Sequence, residues 1–132
     1  METYVVPANY QPRRDLLRGK TLLVTGAGDG IGRVAALSYA AHGATVVLLG
    51  RTGSKLEAVY DEIAAQGGPQ PAIVEMDLAN ATQDSYSNLA GSLAREFPCL
   101  DGLLHNAALL GDMRAIASAG LDSWQEVMQV NV

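Results

Sequence analysis

Apolar residues gather in four short runs, and between the runs the pattern changes to three- and four-residue spacing. The runs are Thr21-Leu22-Leu23-Val24, Ala44-Thr45-Val46-Val47-Leu48-Leu49, Pro71-Ala72-Ile73-Val74-Glu75-Met76 and Leu100-Asp101-Gly102-Leu103-Leu104-His105. The second has no polar alternation, the pattern of a strand covered on both faces. These runs predict strands over 20–25, 44–49, 71–76 and 100–105. Helices are predicted over 30–42, 54–66, 82–97 and 123–132. In the first, Val34, Ala35, Leu37 and Ser38 are expected on or near the buried side, with Gly43 closing the helix. In the second, Lys55, Glu57, Asp61 and Glu62 take exposed positions and Gly67-Gly68 end the helix. The third is the most regular: Tyr86, Leu89, Ala90, Leu93, Ala94 and Phe97 recur at helical intervals. The fourth opens on Ser123-x-x-Glu126, the spacing of a capping box.

Strands alternating with helices imply a parallel sheet with helices on both faces. Right-handed crossovers then give strand order 3-2-1-4. The fold class expected is α/β, a Rossmann-type doubly wound parallel sheet, truncated after the fourth strand and the start of the following helix. Residues 1–19 are expected as an extended N-terminal arm held by Leu16 and Leu17, and residues 20–132 as a partial dinucleotide-binding domain. The fourth strand falls at an edge, although Leu103 and Leu104 suit a covered position. A final helix of about ten residues is marginal without packing.

At 132 residues, 48% hydrophobic and 17% charged, the chain is one domain that buries a core rather than a disordered segment. A net charge of −5 argues against nucleic acid or an anionic membrane surface as the partner. No apolar run reaches transmembrane length, and residues 1–20 hold Pro7, Pro12, Arg13, Arg14 and Arg18 but no apolar signal-peptide core. A soluble cytoplasmic protein is expected. Cys99 is the single cysteine, which fits a reducing compartment, and it is expected as a small buried hydrophobe.

The chemistry begins at Thr25-Gly26-Ala27-Gly28-Asp29-Gly30-Ile31-Gly32, between the first strand and the first helix. A strand, a glycine-rich turn and a helix start form a cradle for a pyrophosphate, because the backbone can approach closely and the helix presents unpaired N–H groups. Four further positions support it. Gly50-Arg51 follows the second strand, where an NAD-binding fold often carries an acid for the ribose 2′-hydroxyl. A guanidinium there favours a 2′-phosphate, hence NADP(H) over NAD(H), with NAD(H) still possible. Asp77-Leu78 ends the third strand, where the carboxylate can meet an adenine amino group, cap the following turn, or do both. His105-Asn106-Ala107-Ala108 ends the fourth strand: Asn106 can bond across strand ends or to ribose, Ala107 and Ala108 leave room for a cofactor, and His105 is read as structural. Asn131 places an amide on the apolar face of the last helix, seven residues after Trp124. His42 and His105 offer no metal-ligand spacing, so no metal is expected.

These motifs resemble the N-terminal half of the short-chain dehydrogenase/reductase family. Its Thr-Gly-x-x-x-Gly-x-Gly pattern is met by Thr25, Gly26, Gly30 and Gly32, and its acid after the third strand by Asp77. Its Asn-Asn-Ala-Gly motif is met in part, with His105 for the first Asn and Ala108 for the Gly. Its helix asparagine is met by Asn131. Tyr10-Gln11-Pro12, Asp15-Leu16-Leu17 and the segment 100–107 resemble the bacterial YciK-type branch of that family. The resemblance implies an NADP(H)-preferring oxidoreductase that moves a hydride between nicotinamide and a carbonyl or alcohol substrate. It also implies a homo-oligomer for a full-length member, and a supporting role for Asn131 in holding a proton-relay water. The catalytic Ser and Tyr-x-x-x-Lys of that family fall beyond residue 132. Tyr39, Tyr60 and Tyr86 lack a lysine four residues on, so this chain alone is expected to be inactive. A non-catalytic dinucleotide-binding or interaction fragment is the alternative. Another Rossmann-like class, such as a methyltransferase, fits the full glycine set less well.

Overall fold

A computed structural model describes residues 5–132; residues 1–4 of the expected arm lie outside the described residues. The elements run β1 (Thr21–Thr25), α1 (Gly30–Ala41), β2 (Thr45–Gly50), α2 (Gly53–Ala65), β3 (Ala72–Glu75), a 3₁₀ turn (Leu78–Asn80), α3 (Gln83–Glu96), β4 (Gly102–Leu104), a second 3₁₀ turn (Ile116–Ser118) and α4 (Leu121–Asn131). All pairings are parallel and the sheet order is β3-β2-β1-β4, as the crossover rule requires.

Side-chain parity divides the sheet between two cores. Val24, Val46 and Leu48 point to one face and pack with Ala36 and Ala40 of α1 and with Leu56, Val59 and Ile63 of α2. Leu23, Val47 and Leu49 point to the other, against Leu89, Leu93 and Phe97 of α3. The run in β2 is fully buried because both faces are covered. Behind this frame, residues 14–19 form turns in place of the expected extended arm, and Leu17 N–H bonds the His42 carbonyl at 2.9 Å while its side chain joins the first core. Leu16, also expected to hold the arm, is exposed. At the amino ends of β1 and β4, Asp101 accepts from the Thr21 N–H at 2.8 Å and from Lys20 Nζ at 3.0 Å.

Four expectations are corrected. The buried side of α1 is Gly32, Ala36 and Ala40, with Leu37 packed against the first core as expected, whereas Val34 is 62% exposed and Ser38 is also exposed. Small residues win that face because the helix lies close on the sheet, and bulk there would hold it off. Cys99 is exposed, on the loop before β4, with its thiol 3.6 Å from Asp101 Oδ2. The last helix starts at Leu121 with Gly120 as N-cap and no side-chain cap, so Ser123 and Glu126 form no capping box. The capping box is at Thr82 and Ser85, which opens α3. β4 has three paired residues rather than six, and Leu103 is 48% exposed on the side away from α1.

Candidate functional site

The carboxyl ends of the strands open into one cleft of about 400 Å³, within the usual range of roughly 300–1,000 Å³ for small-molecule sites. Its floor is the glycine loop after β1. Gly26 has φ +66, and a Cβ there would lie 3.0 Å from Ala107 Cα and from Asn106 Nδ2. Gly32 sits still closer: a Cβ would collide with the Gly26 carbonyl and the Asn106 amide. The loop is therefore packed against 106–107 with no side chain between them.

Thr25 and Asn106 lock that contact. Thr25 Oγ1 donates to the Leu104 carbonyl at 3.3 Å and accepts from the N–H groups of Asn106 and Ala107, both at 3.0 Å. Asn106 Nδ2 donates to the carbonyls of Thr25 at 3.0 Å and Gly26 at 3.3 Å. Thr25 thus works beneath the cleft rather than in its lining. Gly26, Gly28, Asp29, Arg51, Asp77, Leu78, Asn106, Ala107 and Ala108 line it; Gly30, Ile31 and Gly32 do not. Ile31 is exposed, and Gly30 opens α1 with φ +51 and open space where its side chain would be.

Asp29 is the N-cap of α1. Its Oδ1 accepts from the Gly30 N–H at 2.8 Å, and its Oδ2 meets Lys55 Nζ of α2 at 2.7 Å. The Lys55 bond foremost, then the Gly30 N–H, holds the Asp29 carboxyl below the usual carboxylate range. Arg51 follows β2 on the cleft wall, and no ion pair among the described residues uses it. Asp77 caps the 3₁₀ turn after β3, accepting from the Ala79 N–H at 3.1 Å and from Asn80 Nδ2 at 2.6 Å. The capping reading holds, and Asp77 also lines the cleft. Asn131 lies outside the lining. Its Oδ1 accepts from the Leu109 N–H at 2.8 Å and its Nδ2 donates to the Leu109 carbonyl at 3.0 Å, which ties α4 to the loop after β4.

The family model described as short chain dehydrogenase matches residues 20–132. The chain belongs to that family. The uncharacterized oxidoreductase YciK of Escherichia coli K12 is 49% identical over 124 residues, covering 94% of this chain and 49% of that protein. The structure of an oxidoreductase, yciK from E. coli, superposes with a TM-score of 0.89 at 49% identity, over 94% of this chain and 51% of that one. A short chain dehydrogenase structure from E. coli CFT073, complexed with NADPH, has a TM-score of 0.88 at 49% identity over 92% of this chain and 50% of its own. This short-chain dehydrogenase chain thus spans about half the length of the relatives it matches.

The family resemblance had not pointed to several residues that line the cleft. Thr52 and Lys55 come from the start of α2, Met76 from beyond β3, and Glu126 and Val130 from α4. Lys55 carried a readable signal, since it lies four residues after Arg51 and turns back toward the strand end. Glu126 and Val130 carried none: α4 arrives through a long loop, and its placement rests on Asn131 and on Gln129 Nε2 reaching the Ala81 carbonyl at 3.4 Å. Among the described residues no cluster of ligating side chains could hold a metal ion, and no helix is long and apolar enough to cross a membrane.

Proposed function

We propose that this chain is the cofactor-binding half of an oxidoreductase that prefers NADP(H) and acts on a small carbonyl or alcohol substrate. The observation that carries the reading is Arg51 on the wall of a cleft whose floor is the glycine loop. A Cβ at Gly26 or Gly32 would fill the contact that shapes this floor, so the residues present suit a dinucleotide. Gly26, Gly28 and the loop backbone at Asp29, which line the cleft ahead of α1, would hold the pyrophosphate. Arg51 would hold a 2′-phosphate, Asp77 and Leu78 the adenine, and Asn106, Ala107 and Ala108 the ribose side. When bound, the cofactor supplies or accepts the hydride. This chain's own residues bind and orient it, while Asn131 holds the loop at Leu109 beside the cleft. Relatives solved with NADP and with NADPH, at 47% and 49% identity, support the preference. The lone cysteine fits a cytoplasmic setting, and a homo-oligomer is the expected state of a full-length member.

Arg51→Ala tests the reading. The substitution should weaken NADPH by about tenfold or more, the loss expected of a charge-assisted bond. NADH should be little changed, because it has no 2′-phosphate. Equal weakening of the two in calorimetric titrations would remove Arg51 from the site.

A further inference from the structure

Two charged side chains that line the cleft form an ion pair. Asp29 belongs to the glycine loop and Lys55 to the first turn of α2, and they meet at 2.7 Å. Both line the cleft beside Arg51 and Thr52. Thr52, the N-cap of α2, makes no side-chain cap bond, and its carbonyl accepts from the Lys55 N–H at 3.1 Å, which fixes the first turn of the helix next to Arg51. Both partners of the pair are more than half exposed, so water and salt screen it and its net strength is small. A doubly charged phosphate beside Arg51 is a stronger partner for an ammonium than one exposed carboxylate.

We propose that Lys55 is a second determinant of the 2′-phosphate, exchanging its ion pair with Asp29 for the phosphate when NADP(H) binds. This rests on the dinucleotide reading above and adds to it a residue and an exchange. Asp29 has both tasks open to it because its two oxygens are divided: Oδ1 caps α1 and Oδ2 holds Lys55. Release of Lys55 leaves the cap intact. The exchange makes phosphate binding compete with an internal carboxylate, so the pair sets how strongly the chain discriminates between phosphorylated and plain ribose.

The test uses the 132-residue chain with 2′,5′-ADP and 5′-AMP as probes, and reads the ratio of their affinities by calorimetry. Lys55→Met should lower that ratio by about fivefold, as expected for one partly screened charge-assisted contact. Asp29→Asn keeps a cap acceptor and removes the competing carboxylate, so it should raise the ratio; an unchanged ratio overturns the exchange. The double variant separates a phosphate contact from a structural role. If Lys55 touches the phosphate, Lys55→Met still lowers the ratio when Asp29 is already Asn. If Lys55 acts only by holding Asp29, it changes nothing in that background, and the proposal is overturned. Circular dichroism checks that all three variants fold. A wild-type chain that prefers 2′,5′-ADP while Lys55→Met keeps the preference overturns this inference alone. Failure of the wild type to bind either nucleotide overturns the dinucleotide reading along with it.

Discussion

Three glycines of one motif meet three different physical demands, and substitution separates them. Gly26 lies at positive φ against the backbone of 106–107, Gly30 lies at positive φ in open space, and Gly32 has no room for a methyl group. Gly30→Ala should therefore lose only the cost of a left-handed residue, about 1–2 kcal/mol. Gly32→Ala must push the loop off Asn106, an overpacking that typically costs about 1–3 kcal/mol, and it should also weaken nucleotide binding because the cleft floor moves. Urea midpoints and titrations on both variants check this. A Gly32→Ala variant that binds like the parent would mean that the floor does not depend on the contact. The sequence marked all three positions but assigned them a common role at the phosphate. Which glycine faces the ligand depends on the loop's packing partner, a segment about 75 residues further along the chain, and no local pattern carries that.

Asp101 is a second residue whose role is legible only in three dimensions. The Thr21 N–H first, and then Lys20, hold its carboxyl below the usual carboxylate range, while the Asp101 carboxylate holds the Lys20 ammonium above its ordinary value. Protonating Asp101 therefore favours the unfolded chain. Its contribution is present above the ordinary carboxylate pKa and is lost as the pH falls through the lower, folded value. The Lys20 contribution has the opposite sign, present below its ordinary pKa and lost as the pH rises through the raised one. Asp101→Asn should lower the urea midpoint at neutral pH, and the gap to the parent should close in acid, where Asp101 is itself neutral. A gap of constant size from neutral to acid pH would show that the carboxylate charge is not what joins β1 to β4.

Among elements, those set by local pattern were legible and those set by distant packing were not. The apolar run of β2 and the spacing of Leu89, Leu93 and Phe97 in α3 read correctly, because burial on a regular element imposes its own period. The inner face of α1 read only in part: Leu37 packs on the core as its spacing implies, but hydrophobicity favours Val34 where close approach selects Gly32, Ala36 and Ala40. The start of α4 misread for a related reason: Ser123 lies beside Gly111, where a Cβ would stand 3.5 Å from its hydroxyl oxygen, and so belongs to a contact rather than a cap. The same contrast gives a prediction. Thr25 ties β1 to β4 and the loop through three bonds. Thr25→Val keeps the shape but leaves the N–H groups of the half-buried Asn106 and Ala107 without that acceptor, at about 1 kcal/mol, the lower end of the cost of an unsatisfied group. Amide hydrogen exchange should speed up at Asn106 and Ala107 while β2 stays protected. Acceleration spread evenly over the sheet would indicate general destabilisation and not a local lock.

At the scale of the whole molecule, the sheet is well covered around β1 and β2 and open beyond β4. Leu103 on β4 is half exposed, and Trp124 of α4 is 63% exposed above a groove shared with Tyr86, His105 and Met128. Exposed large apolar side chains together with a sheet edge favour association. The 132-residue chain should therefore show a sedimentation coefficient that rises with concentration, and Trp124→Gln should reduce that rise. The resemblance assigns proton transfer to a Tyr-x-x-x-Lys, and Tyr39, Tyr60 and Tyr86 are followed at that spacing by Gly43, Ala64 and Ala90. Positioned acid–base catalysis contributes about 10²–10⁴ in rate, so a chain that binds cofactor without it should be silent. With mass-verified 132-residue protein, NADPH absorbance should stay constant across a panel of ketones and aldehydes even where calorimetry shows the cofactor bound. Steady turnover under those conditions would assign the proton transfer to a side chain of these 132 residues and would leave the Tyr-x-x-x-Lys expectation without force here.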